Sequence, residues 1–255
     1  MPLMQKLTSV LAVAQRPEDS WNVLAKASAI AVCFGARLEL LESGDILRRV
    51  ADSRPDLVIK APADVHPLRR GTVDARDWRL VDECPVPIML VRERPWHEQP
   101  RFAAAVDVSD DSHAHMARAI VHTAGFLAHG TGADLEILYS EREAREERVR
   151  MQRAVRLAQL VREFHVGCEH IRRVEGAPEN TLPMIVGQAR YDVLVLGGES
   201  RRRGLARFLP GTANRLADYF SGDLVLVKAP HRIHERAEAV CSAGEQRSYE
   251  RQELA

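Results

Sequence analysis

The chain has 255 residues, 45% of them hydrophobic, and its 36 basic side chains balance 36 acidic ones to a formal net charge of zero. That apolar content supports a packed core and excludes a disordered chain, while the missing basic surplus argues against a general nucleic-acid binder. No apolar run approaches the ~18–20 residues of a membrane span, and the scattered Cys33, Cys84, Cys168 and Cys241 form no CxxC pair or disulfide framework, so a reducing cytoplasmic setting is expected.

Taken in chain order, the predicted elements repeat. Residues 7–14 are a short apolar run, read as a buried strand rather than a cleavable signal. A helical stripe follows at Trp21, Leu24, Ala25, Ser28, Ala31 and Val32, with Gly35 where a helix C-cap belongs. Next come the strand in Gly35-Ala36-Arg37-Leu38-Glu39-Leu40-Leu41, a helix, the Asp56-Leu57-Val58-Ile59 strand, another helix and a final strand ending at Ile88-Met89-Leu90-Val91. Pro95 and Pro100 mark a linker over residues 92–101. The pattern then restarts at residues 102–108, followed by a stripe at Met116, Ala119, Ile120, Thr123, Ala124 and Leu127.

Two offsets connect the copies. Gly132-Ala133-Asp134-Leu135-Glu136-Ile137-Leu138 repeats the first copy at an offset of 97, and Asp192-Val193-Leu194-Val195 repeats Asp56-Leu57-Val58-Ile59 at 136, so the second copy carries 39 extra residues. These read as a charged helix over residues 141–164, with Met151, Val155, Leu157, Ala158, Val161 and Phe164 toward the core, and a strand over 168–174. Alternating strands and helices predict an α/β fold of two tandem open parallel-sheet domains, the first lacking one helix and one edge strand. The missing strand must be an edge strand, since removing a central one orphans two rows of backbone groups. The expected domains are residues 1–95 and 101–230, with a mobile charged tail over 231–255.

The stretch best suited to chemistry follows the second copy's fourth strand: Leu196-Gly197-Gly198-Glu199-Ser200-Arg201-Arg202-Arg203-Gly204-Leu205-Ala206-Arg207-Phe208-Leu209-Pro210-Gly211-Thr212. Glycines let a backbone approach a ligand, and a helix opening at Gly211-Thr212 offers free N–H groups and a positive dipole end to an anion. Thr212 suits an N-cap with a hydroxyl to spare. The arginines make the loop locally basic, and the carboxyl ends of strands are where open α/β sheets bind ligands. The residues read as a phosphate-binding loop; the competing reading is an ordinary loop with solvated arginines.

Here the sequence resembles the universal stress proteins, above all their tandem, E-type members, over residues 7–228. The loop is similar to the family's G-x2-G-x9-G-[S/T] signature, with Gly198 as first glycine and Gly204 to Thr212 matching its last part. Ala105-Val106-Asp107-Val108-Ser109, Gly176-Ala177-Pro178 and Cys84-Pro85-Val86-Pro87-Ile88 resemble three further family motifs. The resemblance implies ATP, with Mg2+, in the second copy: Asp107 on the adenosine, Gly198, Gly204, Gly211 and Thr212 around the phosphates, and Arg201 supplying charge. It also implies an intramolecular pseudo-dimer through the final strands, residues 86–91 and 224–227, with room for a further homodimer. Hydrolysis, if any, is expected to be slow.

Two departures leave alternatives open. Arg201 stands at the family's second glycine, so it either replaces backbone contact with charge or marks a lost site; counted from Gly197, that glycine falls on Ser200 instead. In the first copy, Ala14 is read at the aspartate's place and Arg76 at that of Thr212, so ATP is not expected there. Cys168, His170 and His165 are weak evidence for zinc, and Asp107, Ser109, Ser112 and His113 suit helix capping better than a triad. The second hypothesis is a nucleotide-free scaffold, in which the pseudo-dimer surface or apolar surface uncovered by the deletion takes a protein partner or small apolar ligand.

Overall fold

A computed structural model of the chain describes residues 6–62, 75–141, 146–198, 215–216 and 219–228. The expected tail over 231–255 lies outside them. The first half runs β1 (Ser9–Val13), α1 (Pro17–Phe34), β2 (Arg37–Leu41), α2 (Ile46–Ser53), β3 (Leu57–Lys60), α3 (Ala75–Glu83) and β4 (Ile88–Leu90). The second runs β5 (Arg101–Ala105), α4 (Ala114–Thr131), β6 (Asp134–Glu141), α5 (Glu147–Glu163), β7 (Ile171–Glu175), α6 (Pro178–Gln188), β8 (Val193–Gly197) and β9 (Asp223–Val227), with short 3-10 turns before α4 and β7.

Among the described residues the strands form one nine-stranded sheet in the order β2-β1-β3-β4-β9-β8-β5-β6-β7. Pairing is parallel within each half, and β4 meets β9 antiparallel with Met89 opposite Val225. These two residues are equivalent at the 136 offset, so a pseudo-two-fold axis passes between them. β1, β3, β8 and β9 are buried along nearly their whole length because helices cover both sheet faces. α1, α4 and α5 close one face around Val23, Ile120 and Leu157. α2, α3 and α6, with Leu216 and Phe220, close the other. No described helix is long and apolar enough to cross a membrane.

The fold is the expected one, with β7 at the edge, though local details differ. Residues 168–170 form a 3-10 turn after Gly167, and β7 begins only at Ile171, so Cys168 and His170 do not share a strand face. Glu141 closes β6 opposite Glu175 instead of opening a helix. On α1 the buried line is Val23, Ala27 and Ile30, whereas Trp21 and Val32 are 79% and 81% exposed. They stand at the offset-97 positions of Arg118 and His129; in the second half Arg118 and its neighbour His122 face α5, which the first half lacks. α5 itself buries Leu157, Leu160 and Val161, and turns Met151, Val155 and Ala158 outward.

Each half also ties the start of its central strand to an acid just before the neighbouring one. Asp56 accepts hydrogen bonds from the Thr8 and Ser9 amides at 2.6 and 3.0 Å. Asp192, its repeat equivalent, accepts from the His97 and Arg101 amides at 3.1 and 2.9 Å.

Candidate functional site

β5 is where the second half's strand order reverses, with β6 on one side and β8 on the other. The crevice beyond its carboxyl end is thus the ligand position of an open α/β sheet. The chain leaves β5 through Asp107, whose Oδ1 accepts from the Ser109 amide at 2.8 Å, an Asx turn that leaves the side chain exposed. Asp110 caps the 3-10 turn (Asp111–His113) by accepting from the Ser112 amide at 2.7 Å. Hydrogen bonds from the Ser112 hydroxyl and amide hold the Asp110 carboxyl below its usual range.

His113 sits among these groups. Its Nδ1 lies 3.5 Å from both Asp107 Oδ2 and Asp110 Oδ1, and 3.4 Å from Ser109 Oγ. A triad needs acid and nucleophile on opposite ring nitrogens; here all of them compete for one. The capping expected of Ser109 and Ser112 falls to Asp110, which sequence reasoning missed although an acid immediately before a helical turn is a usable signal.

Across the crevice, β8 ends at Gly197, and Gly198 donates its amide to Val227 O at 2.7 Å. A Cβ on Gly198 would lie 2.5 Å from Val81 Cγ1 of α3 in the other half, so packing alone demands glycine there. A Cβ on Gly197 would meet the flexible Met116 side chain at 2.9 Å. Asp107 and Gly198 are therefore placed at carboxyl ends of strands in the same half. Arg201, Gly204, Gly211 and Thr212 lie outside the described residues.

The corresponding place in the first half is built differently. A cleft of 590 Å³ opens beyond β1 and β3, lined by Val13, Gln15, Arg16, Lys60 and Asp77 among others. Lys60 stands at the register of Leu196, and its ammonium is 2.6 Å from Asp77 Oδ1, both side chains at most 10% exposed. Strand register corrects one equivalence: Ala14 and Val106 make the same hydrogen bond, to Leu41 O and Leu138 O, so Gln15 and not Ala14 occupies the position of Asp107.

No family model matches the chain. It is 23% identical over 205 residues to the universal stress protein E homolog of Haemophilus influenzae, covering 73% of this chain and 66% of that relative. It is 25% identical over 205 residues to universal stress protein E of Escherichia coli K12, covering 72% and 64%. The chain is thus similar, over most of its length, to curated universal stress proteins of the E type. It spans just under two-thirds of the length of these curated relatives. A Pseudomonas aeruginosa UCBPP-PA14 structure bearing the universal stress protein designation superposes with a TM-score of 0.77 at 22% identity, over 94% of this chain and 99% of that one. A universal stress protein of Archaeoglobus fulgidus superposes with a TM-score of 0.58 at 13% identity, over 89% and 98%. At these identities the superpositions establish a shared fold.

Proposed function

We propose that the chain is a universal stress protein that acts in a cytoplasmic stress response as an adenine-nucleotide sensor or adaptor with one site, in its second half. The observation that carries the reading is Asp107: an exposed carboxylate, oriented by its own Asx turn, at the switch point of the half that keeps the family's motifs. In the first half Gln15 takes that place and a buried Lys60–Asp77 pair lies beside it. Asp107 would contact the adenosine, and Gly198, Gly204, Gly211 and Thr212 the phosphates, with Arg201 supplying charge and Mg2+ accompanying ATP. Calorimetry of ATP with the full chain, with and without magnesium, tests the reading. One-to-one binding is expected, weakened about tenfold or more in Asp107→Ala by loss of a charged hydrogen-bond partner. An Arg201→Gly variant shows whether that side chain helps or hinders. No binding by the wild type rejects the proposal.

One observation favours a second reading, the scaffold. Trp21, Val32 and Leu40 are 79%, 81% and 40% exposed on the side of the first half that has no counterpart of α5. A scaffold would keep its partner in Asp107→Ala, which separates the two readings.

A further inference from the structure

We infer that Arg156, on the helix that only the second half possesses, is a positioning residue for Asp107 and its loop; the inference takes its functional consequence from the nucleotide reading above. Strand register shows two insertions in the second half. Ser9 pairs with Arg37 and Arg101 with Asp134, so the central strands are offset by 92 and the next strands by 97. The loop leaving β5 is therefore five residues longer than that leaving β1, and it contains the 3-10 turn. The second insertion is the unit of α5 and β7.

Arg156 joins the two. Its Nε lies 2.8 Å from Asp111 Oδ1, and its Nη1 donates to Ser109 O at 3.1 Å. The guanidinium thus grips the loop at two points two residues apart, which a planar fork does and a single ammonium does not. Ser109 is held at both ends of its backbone: its carbonyl accepts from Arg156, and its amide donates to the Asp107 carboxylate at 2.8 Å. A loop fixed before its ligand arrives need not be ordered at the expense of binding. Arg156 is not required to hold α5 in place, since Leu157, Leu160 and Val161 are buried and Arg118 bridges Glu163 at 2.9 Å.

Two readouts on the full chain test this, amide hydrogen exchange without ligand and ATP calorimetry. Arg156→Gln should speed exchange at the Ser109 and Ser112 amides while leaving α5 protected, and should weaken ATP binding about tenfold through lost preorganisation. Arg156→Lys should recover part of both. Asp111→Asn should act in the same direction, and the double variant should be no worse than Arg156→Gln. Arg162→Gln removes the same charge from an exposed position on the same helix and should change neither readout. Unchanged loop exchange in Arg156→Gln, or equal losses in Arg162→Gln, overturns the positioning role. Wild-type protein that binds no ATP overturns the nucleotide reading instead, and the exchange data tell the two failures apart.

Discussion

Replacing Lys26 by methionine should cost far more than removal of a helix lysine usually does. Its ammonium donates to Asp223 Oδ1 at 2.7 Å and to the carbonyls of Arg92 and Arg94 at 2.7 and 2.8 Å, and it is 10% exposed against 1% for the aspartate. The contacts fasten α1 to the linker and to the first residue of β9. Burial works against both charges, lowering the Lys26 pKa and raising that of Asp223. Methionine fits the aliphatic space but leaves a buried carboxylate with only the Arg92 amide and the Trp96 indole, at 2.7 and 2.6 Å. Breaking a buried pair from one side costs about 3–5 kcal/mol. For a domain of this size that lowers the thermal midpoint by roughly 10 °C. Urea and thermal unfolding measure it directly. The sign of the pH dependence follows. Without its cation, Asp223 has a folded pKa raised further, so its burial penalty is full above that value and relieved as protonation sets in below. The deficit should shrink as pH falls from neutral toward the ordinary carboxylate value of 3.8. A neutral-pH loss under about 1 kcal/mol, the worth of a surface pair, would falsify the argument.

Other outcomes follow from single contacts. His122 packs edge-on to Phe164 at 5.6 Å, and desolvation lowers its pKa from the ordinary 6.5. A lowered folded pKa means stability that is complete above the unfolded value and lost as pH falls through the folded one. His122→Leu should therefore flatten the stability loss that sets in as pH falls through and below 6.5, and an unchanged slope speaks against the assignment. Gly198→Ala should destabilise by about 1–3 kcal/mol, because its methyl would meet Val81 Cγ1. Adding Val81→Ala should return part of that loss; equal stability of wild type and Gly198→Ala would show that packing does not fix the glycine.

The repeat made most of the fold legible. Equal offsets over Asp56/Asp192 and over the final strands placed equivalent elements, and the 39-residue difference located an edge unit, because only an edge tolerates loss. Side-chain burial was less legible. Trp21 and Val32 lie on an apolar stripe of α1 that reads as core, yet their repeat positions in the complete half are the exposed Arg118 and His129, so the apolar pattern alone does not mark the buried face. Lys26 looks like an ordinary surface lysine because its partner Asp223 is 197 residues away. Gly198 looked like a phosphate glycine, yet its nearest constraint is a valine of the other half, which only the antiparallel β4–β9 junction brings near. For the candidate site, Asp107 is singled out by a motif, whereas Arg156 was hidden in a charged helix whose arginines all look alike in sequence.

The asymmetry between the halves follows from sheet topology and the loop together. α5 and β7 can be absent from one half because β7 is an edge: without it β2 exposes one row of backbone groups, on a five-residue strand carrying Arg37 and Glu39, a short charged edge that resists further pairing. The same omission removes the helix whose arginine grips the loop after the central strand. The first half has neither that loop nor its aspartate, and fills the position with Gln15 beside a lysine paired to an aspartate. A half that cannot hold the loop gains nothing from the carboxylate at its start. The pseudo-two-fold axis at Met89 and Val225 thus relates one unit built to present an oriented carboxylate to another built to complete the sheet.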